Sequence, residues 1–177
     1  MKAFATSKVK AEQLVTNSQT QLDKVCDEFL SGVSPDLKKK SHQTIHFAAL
    51  SASIIGFSPI PFSDAFLLVP VQLTMMSRLH KIFGQSWSES LGKSLTKELV
   101  VVSLGKSAVG NILKVIPVVG TVTGGMVNAS VAVAITEALG WVTVKMLNDG
   151  VDIFDDVMSF KGQFSTLFKA IQNAKKK

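Results

Sequence analysis

The side chains best placed for chemistry are His42 and His46, four residues apart in the string HQTIH. On a helix this spacing puts both imidazoles on one face, as in the zinc-protease pattern HExxH. The Glu that would serve as general base is here Gln43, so the protease reading fails at its central residue. A bare metal site would need a third ligand, for which Asp64, Glu137 or His80 are the candidates; packing or capping is the plainer role for the pair. Gly105-Lys106-Ser107 opens like the end of a Walker A loop, but position 100, where the motif's first glycine belongs, is Val. The flanks also read as helix rather than strand-loop-helix. Two Asp pairs, Asp149/Asp152 and Asp155/Asp156, fall early in the last helical segment, where carboxylates favour the positive end of the helix dipole. Cys26 is the only cysteine and falls on an apolar face, which suits a small core residue in a reducing compartment. No catalytic residue, metal or cofactor is assigned, and the chain is read as a non-enzyme.

The elements that carry these residues are helical. Of the 177 residues, 46% are hydrophobic and only 18% charged, against roughly a quarter charged in an ordinary soluble domain. The chain therefore buries much of itself or meets a membrane. Leu14, Ser18, Leu22, Val25 and Phe29 recur at steps of three and four, one stripe of an amphipathic helix. Ser31-Gly32 and Ser34-Pro35 close that helix. HQTIHFAALSASIIGF then reads as a second helix. The prolines of SPIPFSD break it, and Ser63 or Asp64 caps a third helix, kinked at Pro70 and ended by Gly84. A further helix spans about 91–115, KVIPVVG makes a second break, and a helix follows over about 122–147. The last segment is amphipathic through Phe154, Val157, Phe164, Leu167, Phe168 and Ile171, with Gly162 a weak point. No period-two alternation is sustained; the Val runs at 100–102 and 131–133 are where β-branching most opposes a helix.

Small residues recur every fourth position: Thr44, Ala48, Ala52 and Gly56, then Gly120, Gly124, Asn128, Ala132, Thr136 and Gly140. Such rows let helix backbones approach closely, in membranes and in tight soluble hairpins alike. The expected fold is an all-α helical bundle built on two apolar hairpins with Ile-Pro turns at Ile60-Pro61 and Ile116-Pro117. Residues 1–177 form one domain, with an amphipathic N-terminal helix over 1–40, a core over 41–148 and a C-terminal helix with a basic tail over 149–177.

Residues 115–136 run 22 positions without a charge, the length of a spanning helix. Pro117, Gly120, Gly124 and Gly125 crowd that run. The earlier uncharged run, 41–63, is broken by its own prolines and would put Asp64 mid-bilayer, as a shifted second run would Glu137, at about 2.5–3.5 kcal/mol for a central charge. Spanning, re-entrant and fully buried readings stay open. The net charge of +6 gathers at Lys38–Lys40 and Lys175–Lys177, which suit either an anionic membrane surface or solvent. Nucleic acid is not expected as a partner, since the basic residues lack interleaved aromatics and no binding motif is present. The first forty residues lack a signal peptide's apolar region, so the expected location is the cytoplasm or the inner face of the membrane.

Two segments resemble a known family. AALSASIIGFSPIPFSDAFLLVPVQLTMMSRLHKIFG carries an Ala-rich helix, a Pro59-Ile60-Pro61 turn, Asp64, Gln72, Met75 or Met76, and Phe83-Gly84. LKVIPVVGTVTGGMVNASVAVAITEALG carries Lys114, Pro117, Gly120, Thr136 and Gly140 in the matching order. Together they resemble the GTPase-associated domain of unknown function 697, a YcjF-like helical family. The resemblance covers about residues 44–147. It implies an all-helical module of bacterial, frequently membrane-associated proteins, with no established catalytic residues. The family's domain often follows a G domain. None is found in this sequence, so the implied GTPase partner would act in trans. The roles left open are an interaction module, a membrane-inserting or permeabilising protein, and a bundle that binds a lipid or other apolar ligand. Self-association into a homo-oligomer is also left open.

Overall fold

Each helix begins and ends where its terminal backbone groups find partners. The computed structural model describes residue 12 and residues 26–57, 63–87 and 121–174. Helix α1 spans Pro35–Gly56. Its N-cap is Ser34, whose hydroxyl accepts from the Leu37 amide at 3.4 Å, and Pro35 takes the first turn, where its missing N–H costs nothing. Asp36 complements the dipole there and pairs with Lys40 at 2.7 Å. The Ser34-Pro35 pair thus opens this helix rather than only closing the one before it, and the expected boundary at residue 40 falls inside α1. A proline bars the helix from extending backwards but suits its first turn.

Helix α2 spans Ser63–Ile82 and contains Pro70. Helix α3 spans Thr121–Asn148, and α4 spans Val157–Ala174. Helices α2 and α3 stop in the same way. Gly84 and Gly150 adopt φ of +69° and +71°, conformations that a side chain disfavours. The next amide then reaches back, Gln85 to the His80 carbonyl at 2.8 Å and Val151 to that of Met146 at 2.9 Å. That bond closes a Schellman end. Before α4, Asp156 accepts from the Ser159 amide at 3.0 Å and Asp152 from the Phe154 amide at 2.8 Å. The Asp pairs therefore lie in the connector ahead of α4, not within its first turn. A short carboxylate satisfies amides best from the capping position just outside a helix.

Helix α3 is the centre of the bundle. It packs on α1, α2 and α4, and its contact with α1 is the most extensive. From Ala129 to Leu147 nearly every residue is buried, so the Val pair at 131 and 133 is helical despite its β-branching. Tertiary burial overrides that modest propensity. Around α3 gather Ile45 of α1, Met75, Met76 and Leu79 of α2, and Phe160, Phe164, Leu167, Phe168 and Ile171 of α4. Cys26, Leu30 and Val33 join the same core, so the end of the N-terminal amphipathic segment is anchored there. The described residues form an all-α bundle without strands.

Candidate functional site

The small residues bring α1, α2 and α3 close together. Ala48 and Ala52 of α1 and Ala132 of α3 are buried, as are Gly56 and Gly140. Ala52, Leu68 and Ala132 form one cluster and Ala49 and Val133 another. At Gly140 the approach is tightest. A Cβ built there would lie 2.6 Å from Ile45 Cγ1 and 2.9 Å from Cδ1, so only hydrogen fits without movement.

Four residues N-terminal to Gly140 on α3, Thr136 meets Gln72 of α2. Both are fully buried, and Gln72 Nε2 donates to the Thr136 hydroxyl at 3.4 Å. The bond is long, and Gln72 Oε1 finds no hydrogen-bond partner among the described residues. Glu137, adjacent in sequence, is 1% exposed. A glutamine and a threonine 64 positions apart in the chain are thus joined inside an otherwise apolar crossing.

On the outer side of α1 and α2 runs an open groove of about 320 Å³ lined by Thr44, Phe47, Ala48, Ser51, Pro70, Val71, Thr74, Met75 and Arg78. Phe47 is 63% exposed, and Leu67, one turn before Pro70, is 51% exposed. The helical reading of α1 passed over this groove. Its signal was Arg78, the chain's only arginine, spaced with Thr74, Pro70 and Leu67 along one helix face.

The histidines do not converge. His42 and His46 stack at 6.3 Å, with Trp141 at 6.0 Å from His42. Burial, and then the neighbouring His42, lower the His46 pKa below 6.5. His80 lies elsewhere, 3% exposed, with its ring 4.9 Å from that of Trp87 and near Phe154. Its Nδ1 is 2.8 Å from the Met76 carbonyl. Desolvation lowers its pKa, against smaller opposing effects of that hydrogen bond and of Asp152. Among the described residues no three His, Cys, Asp or Glu side chains form a metal-binding group.

Of the motif residues, the structure brings together Gln72, Thr136 and Gly140 at the α2/α3 and α1/α3 contacts and places Met75 and Met76 in the core, with Gly84 at the end of α2. Pro59, Ile60, Pro61, Lys114, Pro117 and Gly120 lie outside the described residues. Asp64, Gly124 and Asn128 fall within α2 and α3, but their side chains lie outside what is described.

An apolar helix enclosed by its neighbours, small residues at its crossings and one buried polar pair define the class of an all-α packing module. Residues 20–168 match the family described as Domain of unknown function (DUF697), and the chain belongs to that family. It is also 36% identical over 112 residues to Magnetosome membrane protein 22 of Magnetospirillum gryphiswaldense. That alignment covers 61% of this chain and 56% of the relative, so the chain spans little more than half of that protein. No solved structure matches the chain.

Proposed function

We propose that the protein is a non-catalytic helical module that associates with the cytoplasmic face of a membrane without spanning it and holds a protein partner there. The partner implied by the family is a GTPase acting in trans. The relative whose name places it in a magnetosome membrane carries the membrane part of this reading, and the character of α3 carries the non-spanning part. Over Ala129–Asn148 it is long and apolar enough to cross a bilayer, with mean hydropathy 1.4, yet 83% of its apolar window is buried inside the bundle. A helix covered by α1, α2 and α4 has no face left for lipid, and Glu137 at its middle opposes lipid exposure further. Membrane contact then belongs to the surface of the bundle, where Phe47 and Leu67 are exposed.

Cell fractionation followed by a carbonate wash tests it. The protein should sediment with membranes and be released by carbonate. Recovery wholly in the soluble fraction refutes membrane association, and retention after the wash refutes the peripheral mode. Cross-linking in cells should join the protein to a G-domain protein, and cross-links to none would remove the GTPase from the reading.

A further inference from the structure

The outer groove between α1 and α2 has a polarity of its own. Three of its lining residues carry hydroxyls, but each hydroxyl donates its proton to its own helix. Thr44 bonds to the Lys40 carbonyl at 3.2 Å, Ser51 to that of Phe47 at 2.9 Å and Thr74 to that of Pro70 at 2.8 Å. Such back-bonded hydroxyls offer an occupant no donor. The remaining wall is the apolar surface of Phe47, Ala48, Pro70, Val71 and Met75. Arg78 differs. It is exposed at one end of the lining, and among the described residues it pairs with no carboxylate. The groove therefore suits an apolar body with one anionic end.

The dimensions agree with a bilayer source. Helices α1 and α2 are joined by a short connection and pack against each other, so they run antiparallel. The helix face continues from Arg78 to Leu67, eleven positions away, or about 16 Å at 1.5 Å per residue. Half of a ~30 Å hydrocarbon layer is about 15 Å. A phospholipid whose phosphate sits at Arg78 therefore reaches Leu67 with one acyl chain, with Phe47 beside the chain across from Val71 and Met75 and Lys81 one turn beyond the phosphate. A volume of about 320 Å³ lies at the small end of ligand pockets. It matches one chain laid along the groove better than a whole partner helix.

We propose that this groove docks an anionic bilayer phospholipid, one acyl chain lying between α1 and α2 with the headgroup phosphate on Arg78. The inference rests on the membrane reading above and makes it specific.

The test uses the full chain carrying Phe47→Trp, a substitution at an exposed site, with phosphatidylglycerol vesicles whose acyl chains are brominated. The indole introduced at position 47 should be quenched, beyond any change in the unsubstituted protein. Adding Thr74→Trp fills the groove from an exposed position. The vesicle titration should then weaken severalfold, read by flotation because a second introduced indole complicates fluorescence. Arg78→Gln should weaken it about fivefold, as expected for one basic residue at an anionic surface. Circular dichroism matching the parent establishes that each variant is folded. Vesicle binding that is indifferent to Thr74→Trp and Arg78→Gln overturns the groove but leaves membrane association standing. No vesicle binding by any form overturns both. Quenching by a brominated free fatty acid in solution but not by vesicles gives the groove to a soluble ligand. A response to an acidic amphipathic peptide alone gives it to a protein partner. Either result overturns the proposal.

Discussion

Replacing Gly140 by Ala tests the close crossing of α1 and α3 more sharply than any other single change. In a helix interior, Gly to Ala gains about 1 kcal/mol of propensity. At position 140 the new methyl would begin 2.6 Å from Ile45 Cγ1, 2.9 Å from Cδ1 and 3.2 Å from Cγ2. Ile45 is itself 2% exposed and held in the core. Both γ carbons branch from Cβ close to the backbone and cannot swing aside as the end of a long chain would, so the helices must part or the rotamer must strain. Overpacking of this kind costs about 1–3 kcal/mol. Gly162 supplies the control, because it lies within α4 with nothing within 4 Å of a built Cβ. Gly162→Ala should gain about 1 kcal/mol while Gly140→Ala should fall between neutral and about 2 kcal/mol less stable than the parent. The propensity gain is common to both, so the difference between the two variants isolates the overpacking at about 1–3 kcal/mol. For a chain of this size that is a gap of about 2–12 °C in Tm, readable by calorimetry and by urea titration. Ile45→Ala removes all three crowding carbons, so the double variant Ile45→Ala/Gly140→Ala should show favourable coupling of at least about 0.5 kcal/mol. Equal stabilities for Gly140→Ala and Gly162→Ala, or strict additivity in the double variant, would refute the close-crossing argument.

The remaining predictions follow the same logic of burial and partner. The paired change Gln72→Met/Thr136→Val replaces a long buried hydrogen bond with apolar groups of similar shape, which is near neutral or stabilising; urea unfolding that shows a loss above about 2 kcal/mol would contradict the weak bond seen here. Asp156→Ala should cost about 0.5–2 kcal/mol through the lost α4 cap, with Asp156→Asn close to the parent because it keeps an acceptor, both measured by thermal melts. Burial lowers the pKa of His80 and of His46 in the folded protein, so the unfolded chain binds protons first as pH falls. Their contribution is full above about 6.5 and is lost as pH falls from there through the lowered folded values. Urea midpoints should drop between pH 7.5 and 5, and His80→Phe, which keeps a ring against Trp87, should flatten that slope. An unchanged slope would show that His80 does not carry it.

Much of the fold was legible because it rests on local signals. Gly84 as the stop of α2 and the end of α3 ahead of Gly150 are both punctuation by Gly. Ser34-Pro35 was harder, because the same two residues can end one helix and cap the next. The Asp residues before α4 were placed too late for a related reason. Composition says that carboxylates belong near a helix start, but only the hydrogen bond from Ser159 says which side of it. Of the small-residue rows, Ala48, Ala52, Ala132 and Gly140 are buried. Which rows meet was not in the spacing. Gln72 and Thr136 were singled out as separate motif positions, and their meeting is a tertiary fact. The α1/α2 groove was passed over, since the α2 half of its wall had a signal in Arg78 but an exposed Phe47 within the apolar run of α1 carries no pattern of its own.

Among the described helices α4 packs closely, backbone to backbone, on α3 alone, whereas α1, α2 and α3 each pack on one another. In the language of hydrogen exchange, this makes α4 a candidate for a separate cooperative unit. Its detachment exposes one amphipathic stripe while the three-helix remainder keeps its mutual contacts. The corner where Phe154 packs against Trp87 and His80 then acts as the tether that keeps a released α4 close to its seat. Amides of α4 should exchange through an opening smaller than global unfolding, and those of α3 between Ala132 and Val144 should wait for the whole domain.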